Sequence, residues 1–319
     1  MDTNPLVELD IRYRPQIELS YDDLFELARL HVDFVGDCIN AISAKERRVS
    51  SPLLGKLFPH LVAEGLELPA SDRRRLAAAW TALYGYICLV DFKLDRFGSL
   101  DARASLGASA LLGWAVATLA EITSGSGFSR VFLDNMQWTL SGQYEDIQNR
   151  KDPNYDRRAS DVSKNRAVLG VIAGYCAAGR EPDDHLIRST ELMLGPFQLL
   201  DDLQDLAEDL REQNITSLVK IIRQVLPREP DASNVPLLYS TLIGSPDFLE
   251  LLRCAESALG DGLLLLDSRR DYTLTWYFSY LRRQVSSLVD AVFRFQHDPY
   301  SISELELYER LYRVQCQYS

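Results

Sequence analysis

Carboxylates recur every four residues in two stretches of this chain, about 110 residues apart. The first stretch ends Ile87-Cys88-Leu89-Val90-Asp91-Phe92-Lys93-Leu94-Asp95. The second reads Phe197-Gln198-Leu199-Leu200-Asp201-Asp202-Leu203-Gln204-Asp205-Leu206-Ala207-Glu208-Asp209. On an α-helix this spacing stacks Asp91 over Asp95, and Asp201 over Asp205 over Asp209. Like charges at that spacing destabilise a helix by a few tenths of a kcal/mol per pair. Beside apolar surface the cost rises unless something positive compensates. The chain must therefore fold so that these faces meet a cation. Two such faces turned toward each other make an all-oxygen cage for hard divalent ions. That points to Mg²⁺ holding a polyanion, most naturally a diphosphate.

The rest of the chain fits a helical frame. Apolar residues repeat with helical period, and no stretch alternates as a strand does. Helices are expected over residues 18–43, 73–95, 106–122, 131–148, 162–178, 191–209, 215–225, 248–266, 273–295 and 303–314. Ser71 or Asp72 is the expected N-cap of the second. Residues 106–122 are apolar nearly all round and rich in small side chains, which suits the centre of a bundle. Residues 227–236 carry Pro and Asp and read as a loop. No linker or repeat divides the chain. The expectation is all-α: one helical bundle domain over residues 1–319, with a central apolar cavity.

Composition narrows the function. The net charge is −12 with no basic stripe, which argues against nucleic acid as a partner. The five cysteines are scattered, without a C-x-x-C pair, so a disulfide framework or zinc site is not expected. No basic segment followed by an apolar stretch opens the chain, and no run reaches the roughly 20 apolar residues of a membrane span. A cytoplasmic protein is expected.

A diphosphate also calls for protein cations. Lys164 opens an apolar helix, with Arg157 and Arg158 just before it. Gln143 and Asp146 follow Gly142, where a helix can approach closely and an amide can bond substrate or water. Each has a plainer reading, as a surface base or a polar turn of helix.

Taken together, five blocks resemble the trans-isoprenyl diphosphate synthases and their relatives, the class I terpene synthases. Leu89-Val90-Asp91 through Asp95 resembles the first aspartate-rich motif. Gly142-Gln143 through Asp146 resembles the GQxxD helix, and Lys164 stands where a lysine follows it. Phe197 to Asp205 is close to FQxxDDxxD. Residues 209–218 resemble the DxxEGKxTLP segment. The resemblance implies metal ligation by Asp91, Asp95, Asp201, Asp202, Asp205 and Asp209, with Asp91, Asp95, Asp201 and Asp205 catalytic. It implies diphosphate binding by Lys164, Arg158, Gln143 and Gln198. It also implies a cluster of about three Mg²⁺ ions, replaceable by Mn²⁺, a prenyl diphosphate substrate and a homodimer.

The departures bear on function. The first motif is Asp-Phe-Lys-Leu-Asp, the Arg-Arg-Gly after it reads Arg96-Phe97-Gly98, and the upstream GKRxRP block survives only as Gly55-Lys56-Leu57-Phe58-Pro59. Asn214 replaces the lysine after the second motif. In the family these basic groups largely bind isopentenyl diphosphate, so their loss favours a terpene synthase that ionises a C15 or C20 prenyl diphosphate and cyclises or quenches the cation. Asp201, Asp205 and Asp209 also fall at the positions of that group's Asn-Ser-Glu metal triad. The alternatives are a trans-prenyl diphosphate synthase or other prenyltransferase, and a non-catalytic partner subunit of a prenyl synthase.

Overall fold

The computed structural model describes residues 14–15, 58–97, 102–123, 128–155, 166–181, 184–267 and 272–298, and only the backbone over 88–97. The expected helices over 18–43 and 303–314 lie outside the described residues. Ten helices are described: α1 (Phe58–Gly65), α2 (Ala70–Phe97), α3 (Ala102–Ile122), α4 (Phe128–Asn149), α5 (Arg166–Ala177), α6 (Asp184–Glu212), α7 (Ser217–Val225), α8 (Val235–Gly244), α9 (Pro246–Asp267) and α10 (Tyr272–His297). Among the described residues there is no strand, so the all-α expectation holds.

The chain divides into two compact units, Met1–Gln137 with Arg166–Ile187 and Tyr318–Ser319, and Trp138–Asn165 with Arg188–Gln317. Helices α4 and α6 each contribute residues to both.

In the first unit, α2 packs along α3, while α5 packs against α1, α2 and α3. The core holds Val62, Leu76, Trp80, Leu83, Ile87, Leu111 and Ile172. Gly170 and Gly174, one turn apart on α5, make this close packing possible. A Cβ on Gly170 would lie 3.1 Å from the Trp80 ring, and one on Gly174 would lie 2.6 Å from Val62.

Two expectations change here. Helix α2 begins at Ala70, with Arg73 N–H bonded to the Pro69 carbonyl at 2.9 Å, so Ser71 and Asp72 sit inside the first turn and neither is the N-cap. Asp72 instead sits where the positive end of the helix dipole favours a carboxylate. Helix α3 is not central. Ala108, Leu111, Ala115 and Leu119 are buried, but Leu106 is 61% exposed. Small alanines raise the mean hydropathy of Ser105–Ile122 to 1.4 without supplying bulk to bury. By length and composition alone that 18-residue stretch is apolar enough to cross a membrane, contrary to the expectation that no run is.

In the second unit, α9 packs along α10, and Ser286 on α10 bonds Glu256 on α9. Thr216 caps α7 by accepting from Val219 N–H, and Asn234 caps α8 by accepting from Leu237 N–H. Helix α8 was not anticipated, because Pro236 read as part of a loop. Proline is well placed here at the helix start, where its missing N–H costs nothing. Gln296 closes the far end of α8, donating to the carbonyls of Ile243 (2.7 Å) and Ser245 (2.9 Å).

Two outcomes follow from the first unit. Gly174→Ala should destabilise by about 1–3 kcal/mol through overpacking, read by urea unfolding. His60 is buried, and desolvation, helped by Arg73, lowers its pKa to about 4. Between pH 6.5 and about 4 the unfolded chain binds a proton that the folded chain refuses. Stability should therefore fall by about 3 kcal/mol as pH drops through this window. In His60→Gln that part of the pH dependence should vanish from melts taken across the same range.

Candidate functional site

The second acidic motif lies on one unbroken helix. In α6, Leu199, Leu203, Leu206 and Leu210 form a buried stripe at helical spacing. Asp201, Asp205 and Asp209 fall on the opposite side at 100° per residue. Asp205 is exposed, while Asp201 and Asp209 are half-buried. Each buried leucine contributes about 1.5–3 kcal/mol, against a few tenths for each like-charge pair, so the stripe dominates and the helix holds.

Polar groups on neighbouring elements fix this helix. Gln198 Nε2 donates to Asp202 Oδ1 at 2.9 Å, and Asp202 is buried. Tyr239 on α8 is buried and donates its hydroxyl to the Leu203 carbonyl at 2.7 Å, within the acidic segment. One turn upstream, Pro196 lacks the N–H that would bond the Leu192 carbonyl.

The helix ends at Glu212, and Gln213 follows with φ +62°, in the left-handed region where Gly is favoured. This is the position of the glycine in the DxxEGKxTLP pattern. Asn214 bonds Asp209 through both its backbone N–H, at 2.8 Å to the carbonyl, and its side chain, at 3.1 Å to Oδ1. Ile215 N–H donates to the Arg150 carbonyl at 2.7 Å, and Lys220 Nζ donates to the Tyr155 carbonyl at 2.7 Å. These bonds dock the turn after α6 onto the end of α4 and the loop that follows it.

On α4, Gln143 and Asp146 are each 3% exposed, which removes the reading of a polar surface turn. Asp146 pairs with Arg150 at 3.4 Å. Neither Arg150, Tyr239 nor the structural role of Asn214 was anticipated. Arg150 stands four residues after Asp146, a spacing that signals an ion pair. Tyr239 left no local signal, because its partner is 36 residues away.

Asp91 and Asp95 lie one turn apart near the end of α2, in the first unit. Their side chains, with Lys164, Arg157 and Arg158, lie outside the described residues. Gln143, Gln198, Asp201, Asp202, Asp205 and Asp209 all belong to the second unit. Among the described residues no group of three or more His, Cys, Asp or Glu side chains is closed enough to hold a metal by itself. The donors that α6 offers are carboxylate oxygens throughout, the chemistry of a hard divalent ion rather than of zinc. Cys176 is buried and Cys254 exposed, and both are free thiols.

No family model matches this chain, and no characterised protein matches it by sequence. Solved structures do match. A decaprenyl diphosphate synthase from Rhodobacter capsulatus aligns over 88% of this chain and 98% of its own, at 13% identity and a TM-score of 0.66. A geranylgeranyl pyrophosphate synthase from Corynebacterium glutamicum aligns over 86% and 95%, at 19% identity and TM-score 0.64. A polyprenyl synthase from Caulobacter crescentus, crystallised with calcium and isoprenyl diphosphate, aligns over 82% and 96%, at 17% identity and TM-score 0.62. The chain has the fold of the trans-isoprenyl diphosphate synthase superfamily.

The left-handed Gln213 gives a direct test of the turn. Gln213→Gly should relieve backbone strain and raise stability by about 0.5–1 kcal/mol, measured by chemical denaturation.

Proposed function

We infer that this chain is a divalent-cation-dependent prenyltransferase that joins an allylic prenyl diphosphate to an acceptor. The observation that carries this is Asp201, Asp205 and Asp209 in register on the unbroken α6, backed by a buried leucine stripe. The fold supports a transferase over the cyclase first expected, since the matching structures are prenyl diphosphate synthases.

In this reading the whole chain works as one isoprenoid-synthase-like domain around an apolar cavity. Asp201, Asp202, Asp205 and Asp209 hold Mg²⁺ from one wall, and Asp91 with Asp95 hold it from the other. Lys164 and Arg158 complete the clamp on the diphosphate, with Gln143 and Gln198 as polar supports. Bound Mg²⁺, about three ions or Mn²⁺ in its place, neutralises charge developing on the leaving diphosphate. Asp202 is oriented for this work by Gln198 before substrate arrives. The apolar cavity keeps water from the allylic cation until the acceptor reacts. Exposed Leu106 and Leu133 in the first unit support a homodimer, and the enzyme is proposed to be cytoplasmic.

One observation favours a terpene synthase instead. The chain lacks the basic residues after the first motif and has Asn214 where a lysine stands, which weakens the case for a second diphosphate. An acceptor without a diphosphate satisfies both facts.

The deciding assay incubates the chain with Mg²⁺ and geranyl, farnesyl or geranylgeranyl diphosphate, with and without isopentenyl diphosphate or a neutral nucleophile. A product that needs the second substrate is the expected result. A hydrocarbon or terpene alcohol formed without it would establish the terpene synthase. Silence in every arm, with copurification of an active homologue, would establish the partner subunit. Asp201→Asn and Asp205→Asn should each lower turnover at least about 100-fold while leaving the fold intact by circular dichroism.

A further inference from the structure

Asn214 lies in the turn that follows α6 and is 9% exposed. Its amide donates to Asp209 Oδ1 at 3.1 Å and, more weakly, to Glu212 Oε2 at 3.4 Å. Its backbone N–H returns to the Asp209 carbonyl at 2.8 Å, and the next residue, Ile215, is anchored to Arg150 at 2.7 Å. The amide is thus held in place from both sides.

Asp209 needs such a partner. It sits in the last turn of α6, where the helix dipole is negative and disfavours a carboxylate. Asp205 and Glu212 lie one turn or less away and add like charge. A cationic side chain at position 214 would hold Asp209 but would also cancel its charge and compete with a metal ion for the same oxygen. A neutral amide orients the carboxylate and leaves its full charge for a divalent cation.

We propose that Asn214 is a positioning residue that presents Asp209 to the divalent cation, and that its neutrality makes diphosphate capture at this turn depend on the metal. The proposal rests on the reading of α6 as a cation-binding helix.

The test measures Mn²⁺ binding to the full chain by the electron-paramagnetic-resonance signal of the free ion, and inorganic pyrophosphate binding by calorimetry with and without Mn²⁺. Melting in EDTA checks the fold of each variant. Wild-type protein should bind Mn²⁺, and pyrophosphate only with it. Asn214→Ala should weaken Mn²⁺ binding about 10–100-fold, with little change in the EDTA melt. Asn214→Lys should also weaken Mn²⁺ binding but should bind pyrophosphate in EDTA, a gain that a merely structural role would not produce. Should Asn214→Ala not fold, Asn214→Lys decides alone. Unchanged Mn²⁺ affinity in the folded variants, with wild type binding normally, would overturn the role of Asn214 only. No Mn²⁺ binding by wild type would overturn the reading of α6 itself.

Discussion

A helix that stacks carboxylates at every turn survives only if its other side is held more strongly than the charges repel. In α6 that hold comes from Leu199, Leu203, Leu206 and Leu210, all buried. The magnitudes are unequal: kcal/mol for each leucine, tenths for each like-charge pair. Around this helix the second unit builds its polar supports. Tyr239 grips the backbone at Leu203, Gln198 grips Asp202, and Asn214 grips Asp209. The acidic face is therefore set in place by packing and hydrogen bonds that do not require a ligand.

The turn from Gln213 to Thr216 is a second point on which local structure depends. It ends α6 with a left-handed residue, caps α7 through Thr216 and ties α4 through Arg150. A glutamine in the left-handed region is strained, and such strain persists where surrounding contacts over-determine the backbone. The buried Ile215 and the bonds of Asn214 supply those contacts. The arrangement keeps the shape of a Gly-Lys turn while removing both its glycine and its cation.

Function follows from what this frame keeps and what it drops. The carboxylates at metal spacing are retained, so an allylic diphosphate bound through divalent ions suits the chain. Basic groups tied to a second diphosphate are eroded, so the acceptor is the point at which it departs from the synthases whose fold it shares. The low identity to those structures, 13 to 19%, agrees with a frame kept for packing while the surface of the site changed.

Periodicity alone determined the helical class, the course of α4, α9 and α10, and the placement of both acidic motifs, because these are properties of neighbours along one helix. It also marked Asp201, Asp205 and Asp209 as one face. Tertiary structure decided what periodicity cannot carry. Whether an apolar helix such as α3 is central or lies at a surface depends on how much partner area it meets, and its small residues leave Leu106 exposed. Whether Gln143 and Asp146 are surface or interior depends on what covers α4. The contacts of Tyr239 with Leu203 and of Ile215 with Arg150 join residues 36 and 65 positions apart, and no local pattern records a bond across such separations.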